Sequence, residues 1–220
     1  MSLKNSTILA LVSVVYFFVS RAIGTFWPEV FYNIQIYRAS AIISLIAVFT
    51  FILFYYMIYA KYSVPGRPEN KDGQDMLKKA ALFAVAGSVI VVPVFVKGIS
   101  GLFGVYNFIY PDTQVIITLF LILGSAICSL YFAVIFYNET FKYVSKRLVT
   151  AAKLAVFGTS LGLVLRIYLV LNYYYSSQFK WSGELTKEIP LIVVPVILLI
   201  FYANVNFLWA FFKEQNAVEN

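Results

Sequence analysis

Three basic residues lie inside long apolar stretches of this chain, at Arg21, Lys97 and Arg166. A charge within a bilayer is costly, and such residues usually face the interior of a helix bundle or a wet cavity. Guanidinium and ammonium groups bind carboxylates and phosphates, so the three residues are candidate ligands for an anion or a lipid headgroup. The alternative is that their long stems carry the charge to the membrane surface. Arg166 is the strongest candidate, because thirteen uncharged residues separate it from Lys180.

Each basic residue is followed by an acid in the next connecting segment: Glu29, Asp112 and Glu184. These carboxylates are candidate charge partners of the three basic residues across one surface of the membrane. The alternative is that they are ordinary loop acids in contact with water.

Small and polar residues mark two further helices. Gly158 and Gly162 form a GxxxG pattern, which is typical of close packing between membrane helices. Asn204 and Asn206 are amides within a hydrophobic span. They are expected either to form hydrogen bonds between helices or to line a solute path.

The composition requires a membrane. Of the 220 residues, 61% are hydrophobic and 12% are charged, whereas a soluble domain is about half apolar and carries roughly twice that charge. Charge-free stretches between Arg38 and Lys61, Asp112 and Glu139, and Glu188 and Lys213 are long enough to cross ~30 Å of hydrocarbon as helices. The sequence therefore predicts an all-α, polytopic membrane protein, a single domain over 1–220. Its six predicted spans are about 6–27, 39–60, 80–104, 113–138, 152–175 and 189–212.

The third span leaves two possibilities open. Asp75 is predicted to cap a helix that begins at Met76. The span is then either one long helix that contains Lys97, or a helix followed by a loose interfacial segment. Pro93 is a candidate kink.

Aromatic residues make up 19% of the chain and lie in or beside the spans. Phe54, Tyr55, Tyr56 and Tyr59 are interpreted as an interfacial aromatic belt. This distribution argues against a nucleic-acid partner, which would need basic residues along a solvent face. The net charge of +7 is better explained by topology, since most basic residues lie in the segments expected on one side. The positive-inside rule then puts both termini in the cytoplasm. The residues of that side are Lys4, Lys61, Arg67, Lys71, Lys78, Lys79, Lys142, Lys146, Arg147, Lys153 and Lys213.

The chain has no histidine and one cysteine, Cys128. Haem, zinc and di-iron sites that depend on histidine are therefore excluded, as are Ser-His and Cys-His catalysis. A disulfide within the chain is also impossible. We find no catalytic constellation and expect no cofactor and no metal.

The three odd-numbered spans can be aligned on their basic residues. Ala10, Ala86 and Ala155 each lie eleven positions before them. The even spans also end alike, since Tyr56 and Lys61 match Tyr137 and Lys142, and Lys213 keeps the lysine. This pattern predicts three repeated helical hairpins around an axis, with Arg21, Lys97 and Arg166 at one depth.

Two functions follow as expectations. The first is transport or binding of a small solute, in its simplest form an anion, with the basic residues at its entrance. The second is a non-catalytic structural or sensory subunit that packs against partner membrane subunits. In both cases the surrounding partner is the lipid bilayer of a cell membrane.

Overall fold

The chain folds into long helices. The computed structural model describes residues 2–27, 30, 33–62, 71–100, 111–140, 146–179 and 185–219. Within these ranges six helices each contain a stretch long and apolar enough to cross a membrane, which confirms the predicted six-span, all-α membrane protein. They are α1 (Leu3–Phe26), α2 (Ile34–Tyr62), α3 (Lys71–Ser100), α4 (Pro111–Thr140), α5 (Lys146–Phe179) and α6 (Leu185–Glu219).

The N-termini of α1 and α3 differ in the residues that stabilise them. Ser2 caps α1, because its side-chain oxygen accepts a hydrogen bond of 3.2 Å from the Asn5 amide. Asp75 was a wrong prediction for the cap of α3. That helix begins at Lys71, and Asp75 lies within its second turn, 3.3 Å from the Lys78 ammonium. A carboxylate near a helix start is stabilising in either position, which is why the sequence did not distinguish them.

The third span is one continuous helix. α3 runs through Pro93 and Lys97 to Ser100, so the first of the two possibilities holds. Proline cannot donate its backbone hydrogen bond, but one missing bond does not end a helix of 30 residues.

The helices form a closed ring in chain order. Each one packs against the next, and α6 packs against α1. The amide of Gln215 near the end of α6 lies 3.5 Å from the Thr7 hydroxyl near the start of α1. The ring therefore has a terminal end, where α1 begins and α6 ends, and a loop end, where α1 ends and α6 begins.

The core lies toward the terminal end. Alanines of the odd helices (Ala10, Ala80, Ala84, Ala151, Ala155) pack against large residues of the even helices (Phe54, Ile58, Phe136, Phe207, Phe211). Among the described residues in the half of each helix nearer the loop end, the buried ones are Ser44 and Ala47 of α2 and Gly87 of α3. Half-buried rings occupy that half, such as Phe18 and Phe201, whose centroids are 4.2 Å apart. The bundle is thus packed tightly at one end and loosely at the other.

Candidate functional site

A small cavity lies on the axis of the ring, where the tightly packed half begins. Its volume is about 30 Å³, which is room for two or three water-sized groups. It is lined from four helices by Phe51, Phe54, Tyr55, Ser129, Phe132, Ala133, Ala155, Thr159, Asn204, Phe207 and Leu208. Ser129 lies ten residues before Glu139, about 15 Å along the helix and therefore near the midplane of the bilayer.

Four polar side chains face this axial cavity. Tyr55 on α2 is hydrogen-bonded to Ser129 on α4, so these two helices are joined across the ring. Thr159 comes from α5 and Asn204 from α6. The surrounding hydrocarbon contains no water, so each polar group at this depth needs a hydrogen-bond partner in the protein or in the cavity.

Aromatic rings close the axis between the cavity and the terminal end. Phe136 on α4 meets Phe207 on α6 edge-on, with centroids 5.1 Å apart and planes at 89°. Phe211 meets Phe54 at 5.8 Å and 83°, and Tyr55 meets Phe132 at 4.9 Å and 69°. Edge-to-face contacts of this kind add about 0.5–1.5 kcal/mol each beyond their buried area. We call these six residues the aromatic cluster.

The aromatic cluster has a regular origin in the sequence. Tyr55, Phe136 and Phe207 each lie six residues before a lysine, at Lys61, Lys142 and Lys213. All three belong to the aromatic cluster on the axis. The three rings thus share one offset from a lysine, and the repeat of the even helices stays a prediction.

The odd helices fit the repeat less well. Ala10 and Ala155 are buried, 0% and 5% exposed, but Ala86 is exposed and its neighbour Gly87 is buried instead. The three alanines are therefore not equivalent in the structure. The triplication stays a prediction.

Arg166 lies on the inward-facing side of α5. Five residues of α5 recur at intervals close to whole turns, and we call them the interior stripe of α5: Leu148, Ala155, Thr159, Gly162 and Arg166. The first four are buried or line the cavity, whereas Arg166 is exposed. Phe157 and Val164, 55% and 61% exposed, lie on roughly the opposite side of the helix.

The depth of Arg166 follows from its spacing. It lies seven residues beyond Thr159, about 10.5 Å nearer the loop end. A terminal nitrogen of its guanidinium lies 3.9 Å from the point where a Cβ on Gly162 would be. The side chain therefore reaches back along the stripe toward the cavity.

The other charged candidates lie partly or wholly outside the described structure. The backbones of Arg21, Lys97 and Asp112 belong to α1, α3 and α4, but their side chains lie outside the described residues. Glu29 and Glu184 lie outside them entirely. The predicted basic ring and its acidic partners thus stay predictions.

Close helix contacts occur at two glycines. A Cβ on Gly158 would lie 2.6 Å from the Cβ of Ala203 on α6, and one on Gly87 would lie 2.5 Å from the Cβ of Cys128 on α4. Gly162 has more room, since its nearest neighbour there would be Ile200 at 3.7 Å. α5 and α6 are therefore in close contact at Gly158, where a side chain larger than hydrogen would meet Ala203.

The sequence interpretation missed the aromatic cluster. Phe54 and Tyr55 were assigned to an interfacial belt, but Phe54 is 1% exposed and Tyr55 lines the cavity. Only Tyr56, which is 55% exposed, has the accessibility of a belt residue. The shared offset from the three lysines was the signal that could have found the cluster. No protein family, no curated protein and no solved structure matches this chain.

Proposed function

We propose that this chain binds a small polar solute within the membrane and lets it pass along the axis of the helix ring. The solute enters at the loop end, passes Arg166 and reaches the axial cavity. The observation that supports this most is the position of Arg166, an exposed charge on the interior stripe of α5 and in line with Thr159. A snorkelling residue belongs on the lipid face, with Phe157 and Val164.

We further propose that both termini lie in the cytoplasm. Eight of the ten basic residues with described side chains belong to helix segments near the terminal end, and the other two, Arg38 and Arg166, lie toward the loop end. The eight are Lys4, Lys61, Lys78, Lys79, Lys146, Arg147, Lys153 and Lys213. Two of them lie over aromatic rings, Lys4 over Phe212 at 5.8 Å and Lys213 over Trp209 at 5.2 Å. An excess of lysine and arginine is typical of the cytoplasmic side, so the solute entrance faces outward.

Flux measurements in proteoliposomes test the role of Arg166. We expect Arg166→Gln to lower the flux of small polar solutes about 10-fold or more, because it removes the guanidinium N–H donors that bind an oxygen of the solute at the loop end. Lys153→Gln is the matched control. It removes the same charge from the same helix, but from an exposed position that lies off the interior stripe.

Equal flux in the two variants would overturn the entrance role of Arg166. No flux for any solute would favour the second candidate function, a structural or sensory membrane subunit. The aromatic cluster favours that alternative, because a filled axis at the terminal end is also what a purely packing module needs. Purification of the chain with a stoichiometric membrane partner would then identify its role.

A further inference from the structure

The polar groups of the axial cavity have already used most of their hydrogen-bond donors. The Ser129 hydroxyl donates to the Ser125 carbonyl at 2.9 Å, and the Thr159 hydroxyl donates to the Ala155 carbonyl at 2.8 Å. The Asn204 amide nitrogen donates to the Ile200 carbonyl at 2.7 Å. Because a backbone carbonyl can only accept, this last contact also fixes which end of the Asn204 amide is the nitrogen.

The hydrogen-bonding capacity that the polar side chains still offer to a ligand in the cavity is mainly that of acceptors. A hydroxyl has one donor and two lone pairs, and a side-chain amide has two donors and a carbonyl oxygen. After the bonds within their own helices, Thr159 and Asn204 retain oxygen lone pairs, and Asn204 retains one N–H. A ligand that fits must therefore donate more hydrogen bonds than it accepts.

The walls of the cavity are uncharged. Five of the lining side chains are aromatic, and none of the lining residues is Asp, Glu, Lys or Arg. An anion there would lose its hydration and meet neither an opposite charge nor enough donors. Arg166 at the entrance and the uncharged lining of the cavity therefore favour different ligands. Arg166 favours a negative charge, whereas the cavity lining disfavours one.

We propose that the axial cavity is a binding site for a small neutral molecule with two or more N–H or O–H donors, held by Thr159 and Asn204. The volume of about 30 Å³ sets its size at a few non-hydrogen atoms. The proposal rests on the proposed function for the route by which the solute arrives, but binding is measured independently of flux.

Formamide and formate are the probes, because they have similar size and shape but opposite hydrogen-bonding character. Formamide is neutral and has two N–H donors, whereas formate is an anion without donors. Saturation-transfer NMR on the full chain in lipid nanodiscs reports binding through the carbon-bound proton of each probe. We expect a protein-dependent signal for formamide at least about 5-fold larger than that for formate.

Asn204→Leu should lower the formamide signal about 5-fold. Asn206→Leu is the matched control. Asn206 donates to its own helix in the same way, at 2.8 Å to the Tyr202 carbonyl, but does not line the cavity. Thr159→Val is a second variant of nearly unchanged shape, in case Asn204→Leu does not fold, and it should lower the signal in the same direction.

Equal formamide signals in Asn204→Leu and Asn206→Leu, or a formate signal that Asn204→Leu lowers as much as it lowers the formamide signal, would overturn the site. Formamide binding without flux of any solute would uphold the site and overturn transport. Flux that depends on Arg166, with no formamide binding, would uphold the proposed function and overturn this inference.

Discussion

At the scale of single residues, three glycines offer a graded test of helix contact. Gly158 and Gly87 have no room for a methyl group, whereas a Cβ on Gly124 would meet nothing within 4 Å. All three are helical, so the change in helix propensity from glycine to alanine is about the same for each. Any difference between the variants therefore reports packing.

Gly158→Ala should lower the free energy of unfolding by about 1–3 kcal/mol, because the new methyl group overpacks the contact with Ala203. Gly124→Ala should be neutral or slightly stabilising. The measurement is the thermal unfolding midpoint of the purified protein in one detergent. The double variant Gly158→Ala with Ala203→Gly should recover part of the loss, since residues in contact are not additive. Equal midpoints for the two single variants would contradict the close approach of α5 and α6.

Residue-level sequence analysis is most informative where one physical effect dominates. Arg166 stands out because a charge in an apolar span is rare, and its ligand-binding role stays a prediction. Gly158 stands out because its GxxxG spacing indicates helix contact, and it does contact α6. The acceptor character of Thr159 and Asn204 could not be predicted. It depends on hydrogen bonds to their own helices and on which side of each helix faces the axis.

At the scale of helices, the even-numbered members supply the large rings and the odd-numbered members supply alanine. Phe136 is central to this arrangement, since it meets Phe132, Phe207 and Phe211 and is 1% exposed. The alternation lets large side chains from three helices meet on the axis while small residues bring the other three close.

Phe136→Ala should lower the free energy of unfolding by about 3–5 kcal/mol, because a large buried ring is replaced by a cavity. Phe120→Ala on the same helix is the control. Phe120 is 66% exposed, so its loss should cost little in a lipid or detergent environment. Unfolding by rising SDS in mixed micelles compares the two. A similar midpoint for both variants would show that the aromatic cluster does not hold the axis together.

The number of helices could be predicted from the spacing of charges, but their inward faces could not. In a soluble helix the apolar stripe points to the core. In lipid both the inner and the outer faces are apolar, so α2 presents Phe54 inward and Phe49 outward with nothing in the residue type to separate them. The tyrosines of α2 were assigned to the membrane surface for the same reason.

At the scale of the whole molecule, the ring has two chemically different ends. The terminal end combines eight of the ten described basic side chains with the tightly packed core. The loop end carries Trp27, which is 57% exposed. A ring in chain order is what six antiparallel helices with short connections form, so the ring is compatible with the predicted three hairpins without requiring them.

The proposed orientation is tested by chemical access. In a Cys128→Ser background, Trp27→Cys should react with a membrane-impermeant maleimide in intact cells. Lys79→Cys, an exposed position of α3 near the terminal end, should react only after the membrane is made permeable. The reverse pattern would place both termini outside and turn the proposed entrance toward the cytoplasm.

Because packing is uneven along the axis, separating the helices costs a different free energy at each end of the bundle. Moving the helices apart at the loop end separates half-buried rings and few fully buried contacts. Moving them apart at the terminal end breaks the edge-to-face pairs of the aromatic cluster, at about 0.5–1.5 kcal/mol for each pair in addition to the exposed area. Separation of the helices therefore costs more at the terminal end than at the loop end. A ligand could favour separation at the terminal end only through contacts that form in the separated conformation alone.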